Sequence, residues 1–257
     1  MKRFFMIAAV VLLTIGMTSC GKDDDNTSQT PTNPENPSTP GNPSNPSNFT
    51  NIGKTHGEWI DLGLPSGLLW YSVNLGATSP EQYGAYLAWG ETSTKDTYSW
   101  STYHYATVDA DGDLLTLTRY NTSTDLGTID NKTIPVAADD AATTAIGNGA
   151  RIPTQAEWQE LLDNSDADWT TVNDVSGCKL TSLANGASLF LPAAGYRYDS
   201  DLRFVDELGI YWSSSLYTVE PFNAWDMYFD SDGQDADNND DRIFGLSVRA
   251  VHSPSQN

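Results

Sequence analysis

Arg151, Ile152, Pro153, Thr154, Gln155, Ala156, Glu157, Trp158, Gln159, Glu160, Leu161 and Leu162 form the stretch from which the fold of this 257-residue chain is read. Thr154 and Glu157 have the spacing of a capping box, in which each side chain satisfies the other's orphaned backbone N–H at a helix start. Pro153 stands just before, and Ala156, Trp158, Leu161 and Leu162 recur at helical spacing. The pattern predicts a helix from Thr154 that stops at Asn164.

Outward from this helix the punctuation changes to that of short strands. Lys179 to Leu183 and Ser188 to Leu191 flank Asn185 and Gly186, a pair that tolerates the positive φ of a two-residue hairpin turn. Ile210 to Ser214, Ala224 to Phe229 and Phe244 to Val251 read as later strands. In the second, Trp225, Met227 and Phe229 alternate with Asp226, Tyr228 and Asp230, which predicts one buried and one solvent face. Toward the N-terminus, Glu58 to Leu62 and Leu68 to Val73 surround Gly63, Pro65 and Gly67, the residues of a tight turn. Ser79, Pro80 and Glu81 predict a second, short helix ending by Gly84. Tyr86 to Trp89 is an apolar run expected to be buried. About two helices among many short strands is an α+β class.

The residues before this domain carry a different grammar. Lys2 and Arg3 precede an apolar run from Phe4 to Ile15 that is shorter than the ~20 residues a permanent span needs, so residues 1–19 read as a signal peptide. From Asn26 to Asn51 the chain is Asn, Ser, Thr and Pro, with prolines at 31, 34, 37, 40, 43 and 46. That period matches a polyproline II turn and predicts a semi-rigid spacer of ~45 Å between Pro31 and Pro46. Residues 20–52 are thus expected to link, and residues 53–257 to form one domain.

The formal charge is −21, and it becomes two units more negative once Lys2 and Arg3 are cleaved away. Such a balance repels phosphate backbones, so no nucleic-acid partner is expected. With Cys20 set aside, Cys178 is left without a disulfide mate and is expected to be a small buried apolar residue. His56, His104 and His252 lie far apart, without the spacing of a zinc site.

Several segments resemble known families. Met17, Thr18, Ser19 and Cys20 resemble a bacterial lipobox, which implies lipidation of Cys20 and a membrane partner held through that anchor. Asp23, Asp24 and Asp25 are similar to the acidic signal that sends lipoproteins of Bacteroidetes to the outer face of the outer membrane. Arg151 to Trp158 resembles a signature of the formylglycine-generating, sulfatase-modifying family, whose fold is C-type-lectin-like. The wider set is Asp61 to Gly67, Trp70, Gly76, Ala77, Tyr83 to Glu91, Leu191 to Arg197, Tyr211 to Ser215 and Gly245 to Val251. It is similar to the Fibrobacter succinogenes major paralogous domain. The enzymes of the superfamily hold copper between two cysteines or iron among histidines, and neither set is present, so no enzymatic activity and no catalytic residue is expected.

What the resemblance implies is a surface-exposed lipoprotein that binds or adheres, with a glycan or protein as ligand. The other readings are a structural or fimbrial-tip subunit and, last, an enzyme of the formylglycine-generating type. On lectin-like domains late loops carry ligands, and Tyr217, Asn223, Asp226, Tyr228 and Arg242 are the candidates here. Trp225 is expected to pack inward with Met227 and Phe229. Asp230, Asp232, Asp235 and Asp237 around Gly233 offer alternate oxygen ligands for calcium; a solvated acidic hairpin tip is the favoured alternative, and no other cofactor is expected. Asp109, Asp111 and Asp113 pose the same question, with a hairpin turn favoured.

Overall fold

A computed structural model describes residues 52–147 and 149–253. The signal peptide, Cys20, the acidic triplet and nearly all of the spacer lie outside the described residues. In chain order the elements are β1 (Trp59–Asp61), β2 (Leu69–Asn74), β3 (Ala106–Val108), β4 (Leu114–Leu117), α1 (Ala141–Ile146), β5 (Ala150–Arg151), α2 (Gln155–Asp163) and β6 (Ser165–Val172). They continue with β7 (Val175–Ser182), β8 (Ser188–Pro192), β9 (Tyr196–Tyr198), β10 (Asp201–Arg203), β11 (Leu208–Leu216), β12 (Asn223–Asp230), β13 (Gly233–Asp241) and β14 (Arg249–His252). Small antiparallel sheets with two α-helices among the described residues make the class α+β.

The sheets run in the orders β1-β2-β14-β5, β6-β7-β8 and β11-β12-β13, with the hairpins β3-β4 and β9-β10 beside them. Strand β14 lies between β2 and β5, so the last described strand closes the sheet begun by the first. Strands β2 and β11 are buried on both faces. Trp70 of β2 and Tyr211 of β11 enter one apolar cluster with Trp158, Leu161, Leu191, Met227 and Phe229. Their neighbours Tyr71, Val73, Ile210 and Trp212 enter a second with Leu87, Trp89, Tyr98, Leu246 and Val248. Successive side chains of a strand point to opposite faces, so these two strands form the wall between the clusters.

Where the strands meet, Arg249 is fully buried. Its guanidinium donates to Asn74 Oδ1 at 2.7 and 3.0 Å, to the Tyr71 carbonyl at 3.0 Å and to the Phe190 carbonyl at 2.9 Å. Asn74 in turn donates to the Tyr83 carbonyl and to the Tyr211 hydroxyl, which donates to the Pro192 carbonyl. This network joins three sheets through neutral acceptors alone.

Helix α2 has the expected capping box, Thr154 with Glu157, and ends at Asn164. Trp158 and Leu161 are buried, but Ala156 is exposed and not part of the apolar face. The first hairpin forms as β1 and β2, and β7 is joined to β8 by a five-residue loop, Leu183 to Ala187, longer than the two-residue turn expected, with positive φ at Gly186 and not at Asn185. Tyr86 to Trp89 is buried.

The short helix expected at Ser79 does not form. Gln82 turns back to accept from the Thr78 amide at 2.8 Å, and Ala85 N must reach the Leu75 carbonyl at 2.7 Å. Gly84, at φ 75°, makes that reversal where a Cβ would meet the Leu75 oxygen at 2.2 Å. The second helix is instead α1, capped by Asp140. The last strand is shorter than Phe244 to Val251, because Gly245, Leu246 and Ser247 make single bridges to Arg197, Leu87 and Tyr211. Strands β5, β6, β9, β10 and β13 are additions to the expected set; β6 turns into β7 through Asn173 and Asp174, at φ 49° and 65°.

Candidate functional site

Of the late candidates Asn223, Asp226 and Tyr228 lie on β12, while Tyr217 and Arg242 stand one residue beyond β11 and β13, and the register of the β11-β12-β13 sheet sorts those on its strands. Asn223 pairs with Asp241 and Trp225 with Asn239, so these four share one face at one end of the sheet. Ala224 pairs with Asp240 and Asp226 with Asn238, and these lie on the other face.

Trp225 is half-buried, whereas Met227 and Phe229 on its own face are fully buried. The expectation that all three pack inward is corrected for Trp225. It sits near the start of β12, beyond the apolar cluster, and packs edge-on against Tyr217 at 4.8 Å. Tyr217 is also half-buried, and its amide donates to the Asn223 carbonyl at 3.2 Å. Asn223 donates its amide to Asn239 Oδ1 at 3.0 Å, while its own Oδ1 is buried without a partner among the described residues. Two aromatic rings and two amides therefore share one partly open surface. Tyr217 and Asn223 were legible in the sequence; Asn239 and the exposure of Trp225 were not.

Asp226 is fully buried, which corrects its assignment to a solvent face. Strand β12 is central in its sheet, and the side that was read as polar carries Trp212 across from Asp226 and lies against the larger core. Tyr228 is half-buried and donates to Asp230 Oδ2 at 2.7 Å. Burial, then this bond and the charge of Asp230, push its phenol far above the usual range.

Arg242 is corrected most completely: it is 0 % exposed and binds no external group. Its Nε donates to the Tyr103 hydroxyl at 2.9 Å, Nη1 to the Tyr120 and Pro221 carbonyls at 3.1 and 2.9 Å, and Nη2 to the Arg119 carbonyl at 3.2 Å. The guanidinium lies 4.9 Å from the Trp89 ring centre and 5.2 Å from that of Tyr103. Carbonyl dipoles and ring faces take the place of a carboxylate.

The acidic segment is a hairpin. Asp230 Oδ1 accepts from the amides of Asp232 and Gly233 at the turn, and Asp235 Oδ1 accepts from the Asp237 amide where the β12–β13 pairing shifts register. Asp230 and Asp232 flank the turn while Asp235 and Asp237 lie on β13, so the expected calcium ligands are spread along the hairpin. Among the described residues no three His, Cys, Asp or Glu side chains are grouped to hold a metal ion. At Asp109 the favoured hairpin turn is present, its Oδ1 accepting from Asp111 and Asp113 amides at 3.0 and 2.9 Å.

Cys178 is buried as expected. Burial, and then the charge of Asp168, push its thiol up to about 12, so almost no thiolate exists near neutrality. No helix among the described residues is long and apolar enough to cross a membrane.

Residues 164–251, from the end of α2 through most of β14, are similar to a family described as a domain of unknown function (DUF8237). No curated protein and no solved structure matches the chain.

Proposed function

We propose that the chain is a lipoprotein anchored through Cys20 and facing the exterior of an outer membrane, whose C-type-lectin-like domain binds a glycan or a protein through the Tyr217–Trp225 surface. The observation that carries the binding reading is the half-exposed, edge-on ring pair beside Asn223 and Asn239. Sugars present apolar C–H faces and many hydroxyls, which suit ring faces flanked by amide donors and acceptors. The anchor and spacer readings support display away from the membrane. The inert Cys178 thiol supports binding without catalysis.

A structural-subunit role would use β13, the end strand of its sheet, since unpaired strand edges add strands from other chains. The aspartates along that strand keep like edges apart, and this favours the binding reading. The test is a panel of glycans and host proteins probed with the whole detergent-solubilised protein, with and without calcium. Binding that is lost in Trp225→Ala and Tyr217→Ala, with unfolding midpoints kept, is the expected result. Silence of the wild-type protein across the panel, or binding untouched by both substitutions, overturns it.

A further inference from the structure

The face that carries the ring pair is also charged. Asp241 stands opposite Asn223 and Asn239 opposite Trp225, so Asp241 is the diagonal neighbour of Trp225 on that face. Diagonal partners of an antiparallel pair lie about 7–8 Å apart, within reach of long and aromatic side chains. Asp241 is half-buried, and Glu220 is exposed in the turn before β12. Burial, and then the charge of Glu220, raise the Asp241 carboxyl above its ordinary value, so the two carboxylates act on each other. Neither enters an ion pair among the described residues. Arg242, next in the chain, directs its donors instead to Tyr103 and to the carbonyls of Arg119, Tyr120 and Pro221. Two half-exposed rings, edge-on at 4.8 Å, thus stand beside two carboxylates without an ion-pair partner. Ring faces attract cations, Trp most strongly, and a carboxylate alongside adds direct Coulomb attraction.

We propose that this surface recognises an arginine side chain on a basic protein partner, its guanidinium laid on the Trp225 ring and paired with the Asp241 and Glu220 carboxylates. The inference rests on the reading that the Tyr217–Trp225 surface binds a ligand, and it names that ligand's class. A guanidinium is planar and weakly hydrated, so it stacks on an aromatic face while its N–H fork meets a carboxylate. A neutral sugar would use the rings and amides but leave both charges uncompensated, and an acidic glycan would be repelled. Val219, 75 % exposed in the same turn as Glu220, adds an apolar contact that suits a protein partner. The chain's formal charge of −21 steers a basic partner toward it.

The experiment is calorimetric titration of the whole detergent-solubilised protein with a short arginine-rich peptide, and with the same peptide carrying citrulline, which keeps the shape of arginine without its charge. The arginine peptide is expected to bind and the citrulline peptide not to. Asp241→Asn with Glu220→Gln is expected to weaken binding about tenfold, and Trp225→Ala about fivefold, with unfolding midpoints kept. Asp111→Asn with Asp113→Asn removes the same amount of charge from the β3–β4 turn and is expected to leave the affinity nearly unchanged. Equal losses in the two double variants would show diffuse attraction to an acidic chain and overturn the proposal. Binding untouched by Trp225→Ala, equal binding of the citrulline peptide, or no binding of the arginine peptide also overturns it. A glycan bound through Trp225 while the arginine peptide is ignored removes this inference alone and leaves the surface a binding site. Silence toward the peptide and toward the whole glycan and protein panel removes both.

Discussion

Replacing Arg249 by Met keeps the length and apolar stem of the side chain and removes its donors. Three buried acceptors, Asn74 Oδ1 and the carbonyls of Tyr71 and Phe190, then lose their partner. Each stranded acceptor costs about 1–3 kcal/mol. Against this stands the return of a desolvation penalty of several kcal/mol, because a charge that burial depresses to about 10, and that faces no carboxylate, is no longer held in the core. The balance is an expected loss of about 2–4 kcal/mol. Asn74→Leu should also destabilise, since it leaves the guanidinium buried with two carbonyls. The double variant removes both the charge and its principal acceptor, so its loss should fall short of the sum of the singles by about 1 kcal/mol or more. Urea unfolding followed by tryptophan fluorescence reads these as shifts in midpoint at unchanged slope. A midpoint for Arg249→Met within error of the wild type, or strict additivity in the double variant, would refute the claim that this network joins the sheets.

Glu157→Ala removes one half of the α2 capping box and the ion pair with Arg151 at 2.5 Å, and is expected to cost about 1–2 kcal/mol at neutral pH. Burial opposes ionisation of Glu157, but bonds from Arg151 and Thr154 outweigh it and hold the carboxyl below 4.5. The deficit of the variant should therefore be complete above 4.5 and shrink as pH falls through the lower folded value; a deficit independent of pH in urea titrations would contradict this. Cys178 should resist a disulfide-exchange reagent at mildly alkaline pH in the folded protein and react once urea unfolds it, with peptide mapping to locate the label; prompt native labelling of Cys178 would place it at the surface. Gly195→Ala puts a Cβ 1.9 Å from the Arg203 carbonyl oxygen at a backbone φ of 59°, so a loss beyond about 4 kcal/mol or failure to accumulate folded protein is expected. A wild-type urea midpoint would show that this approach of the two segments is wrong.

The features legible in the sequence are those whose cause is local. Thr154 and Glu157 announce α2 because the cap is made within three residues; Gly186, at φ 73°, announces its hairpin, but the loop runs from Leu183 to Ala187 and Asn185 does not take the positive φ expected of a two-residue turn. Strand β13 was hidden for the opposite reason. Its segment, Gly233 to Asp241, has no β-branched or aromatic residue, and it extends only because β12 offers it a ladder. Alternation along β12 correctly separated Met227 and Phe229 from Asp226 and Tyr228, but alternation says which residues share a face and not what covers that face. Trp212 and the larger core cover the Asp226 side, so a carboxylate read as solvated is fully buried. Arg242 follows two aspartates and reads as surface charge. Tyr103, Arg119, Tyr120 and Pro221, at least 21 residues away in the chain, turn it into a core residue. At the start of β12 the core gives out, and this is why Trp225 and Tyr217 are partly exposed while Met227, two residues on from Trp225, is not. A substitution at Trp225 can therefore test the proposed recognition apart from folding, and one at Met227 cannot.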